Sequence, residues 1–177
     1  MACTFNLLFM HKLILRKITL ADCEPISLAF KAQGWDKPVN QYEHYYQLQE
    51  SGARDVIIAE LAGEFSGYLT IMWDSNYGPF KQEGIPEIVD FNVLEKYRRQ
   101  GIGNALMNEA ERRVKLRSPI CGIGVGMIKG YGAAQILYVK RGYIPDGRGL
   151  FADDQPLDYG DKVIMGDGVI LHLTKEL

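Results

Sequence analysis

Residues 97–106 read YRRQGIGNAL, with two arginines and a glutamine set directly before Gly101-Ile102-Gly103. From there Ile102, Leu106, Ala110 and Val114 recur at steps of four, which predicts an amphipathic helix from Ile102 to about Leu116 that packs on a sheet. Upstream, EIVDFNV (87–93) reads as a strand, so a charged stretch and a glycine turn connect a strand to a helix N-terminus. A helix start leaves several backbone N–H groups unpaired and pointing one way, and the macrodipole adds about half a positive charge there. Gly101 and Gly103 let an anion approach that backbone closely, and Arg98 and Arg99 bring charge to the same spot. A phosphate or pyrophosphate is the anion such a turn suits best.

The rest of the chain supplies alternating strands and helices. Leu13 to Ile18 alternates apolar and basic residues as a half-buried strand does, and Thr19 with Asp22 forms a helix-start signal for a helix to about Ala32. In NQYEHYYQLQE (40–50), Tyr42, Tyr45 and Tyr46 fall on one helical face. DVIIAEL and GYLTIMW, joined around Gly63 and Glu64, read as a hairpin, and the segment from Asn76 to Pro86 reads as a loop. ICGIGVGM (120–127) alternates Gly122, Gly124 and Gly126 with apolar residues, so one face of that strand admits a close neighbour. YGAAQILYVKRG reads as a short helix stopped by Gly142, followed by YIPDGRGLF, an acidic loop and the closing strand VILHLTKEL. The expected fold class is α/β (α+β): one domain over residues 1–177 with a mixed sheet, residues 1–9 being an extension before a start at Met10.

Composition narrows the function classes. With 177 residues, 47% of them hydrophobic, one ordinary core can be buried. A net charge of −2 removes the broad positive field of a nonspecific nucleic-acid binder. Cys3, Cys23 and Cys121 are odd in number and never in CxxC spacing, which fits a reducing cytoplasm rather than a disulfide or zinc framework. MACTFNLLFM lacks the charged leader and cleavage site of a secretory signal, and no stretch is long enough to span a bilayer. His11, His44 and His172 have no metal-ligand spacing, so no metal is assigned.

Spacing separates the families that use such a turn. A Walker A loop needs Gly-Lys, and that dipeptide is absent. A Rossmann fingerprint needs a third glycine where Leu106 stands. What remains is RxxGxG at Arg98, Gly101 and Gly103, after a strand ending in Val93. With it comes Ala134 to Tyr143 (AQILYVKRGY), some thirty residues on. In these two motifs, in this order, the chain resembles the GNAT acetyltransferase superfamily, matching its [RQ]xxGxG and AxxLYxxxG[FY] segments. Tyr131 stands where the superfamily often has Asn, and the glycine face of the fifth strand is a candidate for admitting the pantetheine arm instead.

The resemblance implies a mostly antiparallel sheet of six to seven strands, splayed between strands 4 and 5, with helices on both faces. It implies acetyl-CoA as co-substrate, held by Phe91, Asn92 and Val93 along the strand and by Arg98, Arg99, Gln100, Gly101, Ile102, Gly103 and Asn104 at the turn. Tyr138 is then the proton donor to the departing thiolate, and Glu87 the general base, with Asp90 or a water chain as rivals. Strand alternation sets Glu87 and Asp90 on opposite faces, and the Phe91 N–H is the candidate oxyanion donor. The acceptor is an amine of a small molecule or peptide, with no nucleic acid and no membrane. Exposed strand edges suggest a homodimer. A module that binds acyl-CoA without catalysis, as sensor or scaffold, is the alternative. The acidic segment Ala152 to Gly168 reads as a solvated loop or a rim for a cationic amine, and Trp35, Tyr42, Tyr45 and Tyr46 as core or as an acceptor wall.

Overall fold

The computed structural model describes residues 13–177; the expected extension 1–9, Met10, Cys3 and His11 lie outside the described residues. The strands are β1 (Leu13–Lys17), β2 (Arg54–Leu61), β3 (Glu64–Met72), β4 (Glu87–Val93), β5 (Ile120–Gly126), β6 (Ile144–Ala152), β7 (Gln155–Pro156) and β8 (Val169–Glu176). The helices are α1 (Cys23–Lys31), α2 (Val39–Glu50), α3 (Gly78–Glu83), α4 (Ile102–Lys115) and α5 (Gly132–Lys140). The sheet order is β1-β2-β3-β4-β5-β8-β6-β7, mostly antiparallel, with β4 and β5 parallel at Glu87↔Gly122 and Ile88↔Ile123. With the two-residue β7 the sheet has eight strands, where the resemblance implied six to seven.

The chain divides into two compact units. One comprises the residues up to Met72 together with Asp90–Arg113, the other Trp73–Val89 with Val114–Leu177.

In the first unit, β2 and β3 form the expected hairpin, closed by Ala62 and Gly63, both at positive φ, as a two-residue turn between right-twisted strands requires. Alternation along β2 sorts its neighbours. Val56 and Ile58 join Tyr68 of β3 in a core with Ile26 and Phe30 of α1 and Tyr42 of α2. Asp55, on the other face, meets Arg113 of α4 at 2.9 Å. Ile102, Leu106 and Ala110 of α4 are buried, as their spacing predicts. The short helical turn Leu20–Asp22 that leads into α1 is held by the Asp22 carboxylate, which accepts from the Thr19 N–H and hydroxyl, both at 2.7 Å, and from Arg16.

In the second unit, β5, β8 and β6 pair antiparallel, and β6 turns into β7 through Asp153 and Asp154, again both at positive φ. Gly142, at φ +89, stops α5 as expected.

Two sequence expectations are corrected here. The segment 76–86 is not all loop: α3 forms within it, because Pro79 falls in the first turn, where a missing N–H costs nothing, and Gly84 caps the end at φ +65. Phe80 anchors this helix with no exposure at all. The glycine face of β5 is filled by the protein itself. A Cβ on Gly122 would collide with the Phe80 ring, one on Gly126 with the Tyr131 ring at 2.5 Å, and one on Gly124 would lie 3.0 Å from Ile170. The close neighbours that these glycines admit are therefore side chains of this chain.

Candidate active site

The turn that opens α4 belongs to the first unit. Arg98 closes a short helical turn, Glu95–Tyr97, and Gly101 follows at φ +86, a conformation that Gly adopts without a Cβ penalty. Arg99 is also left-handed, at φ +61. The carbonyl of Gly101 accepts from the Ala105 N–H at 3.0 Å, so Gly101 is the N-cap, and by helix geometry the amides of the first turn have no partner inside the helix. Arg98, Arg99, Gln100 and Asn104 are exposed there, while Ile102 is buried. Arg98 Nε donates to the Val93 carbonyl at 3.2 Å, and its guanidinium lies 5.6 Å from the Trp35 ring, which orients it on the end of β4. This arrangement fits a diphosphate. Gly103 also serves packing, since a Cβ there would stand 3.2 Å from Phe91 Cζ, and its absence lets α4 sit close on β4.

Asp90, Phe91 and Asn92 also lie in this unit. Asp90 sits at φ +49 in mid-strand, and a left-handed residue there redirects the peptides around it as a bulge does. The alternation that set Glu87 against Asp90 therefore breaks at Asp90. Its carboxylate accepts from Lys37 Nζ (2.8 Å), Asn92 Nδ2 (2.7 Å), Gln41 Nε2 (2.9 Å), the Tyr45 hydroxyl (3.0 Å) and the Tyr68 hydroxyl. Burial pushes its pKa up, but the Lys37 charge and this set of donors hold it below the usual carboxylate value. A carboxylate so tied is a poor proton acceptor, and its bonds join β4 to β3, to α2 and to Lys37. Tyr45, half-buried beside it, has its pKa pushed up to about 12, by burial first and then by the Asp90 charge.

Glu87 and Tyr138 lie in the second unit. Glu87 is 6% exposed, and its Oε2 accepts from the Ser75 hydroxyl at 2.5 Å. Ser75 in turn accepts from the Tyr77 N–H at 3.0 Å, so that hydroxyl's proton is aimed at Glu87. The Tyr77 hydroxyl donates to Asp146 at 2.9 Å, and the Tyr77 ring stacks on His172 with centroids 3.5 Å apart. Burial lowers the His172 pKa to about 4, so the imidazole is neutral, and among the described residues its Nδ1 has no partner. Tyr138 is 5% exposed, packed at 6.1 Å from the Tyr143 ring, and burial raises its pKa, which keeps the phenol protonated. Tyr131, where the superfamily often has Asn, donates its hydroxyl to Asp167 at 3.1 Å while its ring covers Gly126. Gln135 Nε2 donates to the Gly126 carbonyl at 2.9 Å.

Sequence reasoning did not find Ser75, Tyr77, Lys37 or Asp146. Each stands far along the chain from the group it touches or in a stretch that reads as loop, so no periodicity marks it. Among the described residues no group of three His, Cys, Asp or Glu could hold a metal ion, and no helix is long and apolar enough to cross a membrane. Cys23 and Cys121 are buried, and neither is in a disulfide among the described residues. Of the four aromatics expected as core or as an acceptor wall, Tyr42 is fully buried and Trp35, Tyr45 and Tyr46 pack against the same core.

This fold and these motifs define an acyltransferase class. The model of the acetyltransferase (GNAT) family matches residues 21–143, and the chain belongs to that family. Among solved structures it is similar to ribosomal-protein-alanine N-acetyltransferase from Brucella melitensis. They share 17% identity over 93% of this chain and 99% of that one, with a TM-score of 0.68. It is also similar to the acetyltransferase of the GNAT family from Streptococcus pneumoniae, at 17% identity, 94% and 100% coverage and a TM-score of 0.67. The paia N-acetyltransferase from Thermoplasma acidophilum, in complex with coenzyme A, follows at 14% identity, 93% and 99% coverage and a TM-score of 0.64. A comparison with curated proteins finds no match.

Proposed function

We propose that the chain is a single cytoplasmic N-acetyltransferase domain that transfers an acetyl group from acetyl-CoA to a primary amine of a small molecule or peptide, by direct attack in a ternary complex. The observation that carries this reading is the RxxGxG turn, with Gly101 left-handed at φ +86 and α4 starting on the next residue. Family membership and the coenzyme A complex of the Thermoplasma relative support it. The first-turn amides of α4 with Arg98 and Arg99 would hold the diphosphate, and Phe91, Asn92 and Val93 the pantetheine amides.

Acetyl-CoA supplies an activated thioester carbonyl. As the amine nitrogen bonds to that carbon and the C–S bond breaks, three charges need answers. Glu87 takes the proton that the nitrogen gives up. The Phe91 N–H donates to the carbonyl oxygen as negative charge collects on it. Tyr138 gives its proton to the departing sulfur.

The test is release of free thiol from acetyl-CoA across a panel of amines. Turnover is expected, with Tyr138→Phe and Glu87→Gln each lowering kcat by about two to four orders of magnitude. Arg98→Ala is expected to weaken acetyl-CoA binding by about 1.5–3 kcal/mol, the worth of a charged phosphate hydrogen bond. Thermal shifts with acetyl-CoA, ATP and NAD identify the nucleotide. Acetyl-CoA binding with no turnover on any amine would replace this reading with that of a non-catalytic module.

A further inference from the structure

Arg54 opens β2 as a buried residue, 9% exposed. A guanidinium in that state is costly unless an anion or a full set of acceptors answers it. Arg54 has neither. Its Nη1 donates to the Thr70 hydroxyl at 3.1 Å, and the Tyr45 ring lies 4.4 Å from its central carbon. Among the described residues no carboxylate stands within ion-pair distance of it. The other cations of this unit that are not exposed are all paired: Lys37 with Asp90, Arg113 with Asp55 and Glu109, Arg16 with Asp22 and Glu60.

The unspent edge of Arg54 is its Nε and Nη2, neither of which is a sealed donor lacking a partner. Those two N–H groups form the planar fork that a carboxylate fits with two parallel hydrogen bonds. Tyr45 ties this cation to the rest of the network. Its ring face covers Arg54 and its hydroxyl donates to Asp90, the residue that bends β4 just before Phe91. Thr70 and Tyr45 set the plane of the guanidinium, so its free edge is already oriented.

We infer that Arg54 receives a carboxylate of the acceptor, so that the amines this enzyme uses are amino-acid-like, carrying an acid group as well as the nitrogen to be acetylated. This rests on the acetyltransferase reading above and names its substrate class. Arg54 acts on specificity; it takes no part in breaking or making the acyl bond.

The experiment compares matched acceptors on the wild-type enzyme by thiol release: α-amino acids, their primary amides, and the corresponding decarboxylated amines. The acids are expected to have kcat/KM about tenfold to a hundredfold above their amides, the range of a charge-assisted hydrogen bond, with the difference in KM. Arg54→Gln should bring the acids down to the level of the amides, and Arg54→Lys should restore part of the gap. Equal use of acids and amides by the wild type would overturn the inference while leaving the acetyltransferase reading standing, and this comparison needs no variant to fold. If no amine of any kind is acetylated, the acetyltransferase reading fails instead. Titration of the same free amino acids into arginine-labelled protein then decides the Arg54 site separately. A shifted Arg54 Nε–H resonance supports the site, and an unmoved one overturns it.

Discussion

The Ser75 hydroxyl has one proton and two neighbours that fix where it points. The Tyr77 N–H occupies its oxygen at 3.0 Å, and the proton goes to Glu87 Oε2 at 2.5 Å. A hydrogen bond given to a carboxylate stabilises its charged form, which is the form a general base needs. Ser75→Ala is therefore expected to move the acid limb of the kcat/KM profile to higher pH and to cost about 1–3 kcal/mol of stability, since a buried N–H and a buried carboxylate each lose a partner. Ser75→Thr keeps the hydroxyl and should restore the limb. A stability loss with an unmoved limb would show that Ser75 only supports its loop. In the sequence, Glu87 is legible as a candidate because it heads a strand, whereas Ser75 is one polar residue among several before Gly78. Asp90 shows the same limit. Its carboxylate is visible in the sequence, but Lys37, Gln41, Tyr45 and Tyr68 come to it from three other segments, and only the folded chain shows this rival base half-buried and held by all of them.

Glycines separate two kinds of close packing between elements. At Gly67 of β3, a Cβ would lie 2.6 Å from the Asn92 carbonyl oxygen and 3.0 Å from the Val93 Cα, both backbone atoms of β4. At Gly103 of α4, the nearest atom would be Phe91 Cζ at 3.2 Å, the far end of a side chain. Backbone held in a sheet yields far less than a ring that can tilt. Gly67→Ala is expected to destabilise by about 1–3 kcal/mol or more, and Gly103→Ala by clearly less, read from urea midpoints. The reverse order would mean that the β3–β4 region gives way more easily than α4. Gly103 is legible as part of RxxGxG, but its part in packing is not, because a motif does not say which side of the glycine is crowded. The periodic elements were readable: four-residue spacing located α4, and the two apolar runs around Gly63 located the hairpin. The short α3 was not, since six residues are too few to show a period and its Pro79 and Gly84 read equally well as loop residues. The same ambiguity applies to the glycine face of β5, where alternation showed an accommodating surface without showing that Phe80 and Tyr131 occupy it.

At the scale of the whole chain, acid should act in two successive windows. His172 has its pKa lowered from 6.5 to about 4, so between those values the unfolded chain binds a proton that the folded chain does not. The stability this represents, up to about 3 kcal/mol, is complete above pH 6.5 and is lost as pH falls toward 4. Glu109 runs the other way in cause but the same way in sign. Arg112 and Arg113 hold its pKa at about 2, so its contribution is complete above 4.5 and is lost only below that. Asp90, also held low, titrates in this lower window. Stability measured by urea unfolding should thus fall from pH 6.5 to 4, and then fall again below about 4.5 as the carboxylates protonate. His172→Phe preserves a ring against Tyr77 and removes the titrating group, and it should flatten the upper window while leaving the lower one in place. Asp146 and Asp154 are the charges that favour a protonated His172. If the upper window is flat in the wild type as well, these two carboxylates answer the imidazolium without unfolding, and the His172 stack is no burden to the fold at mildly acid pH.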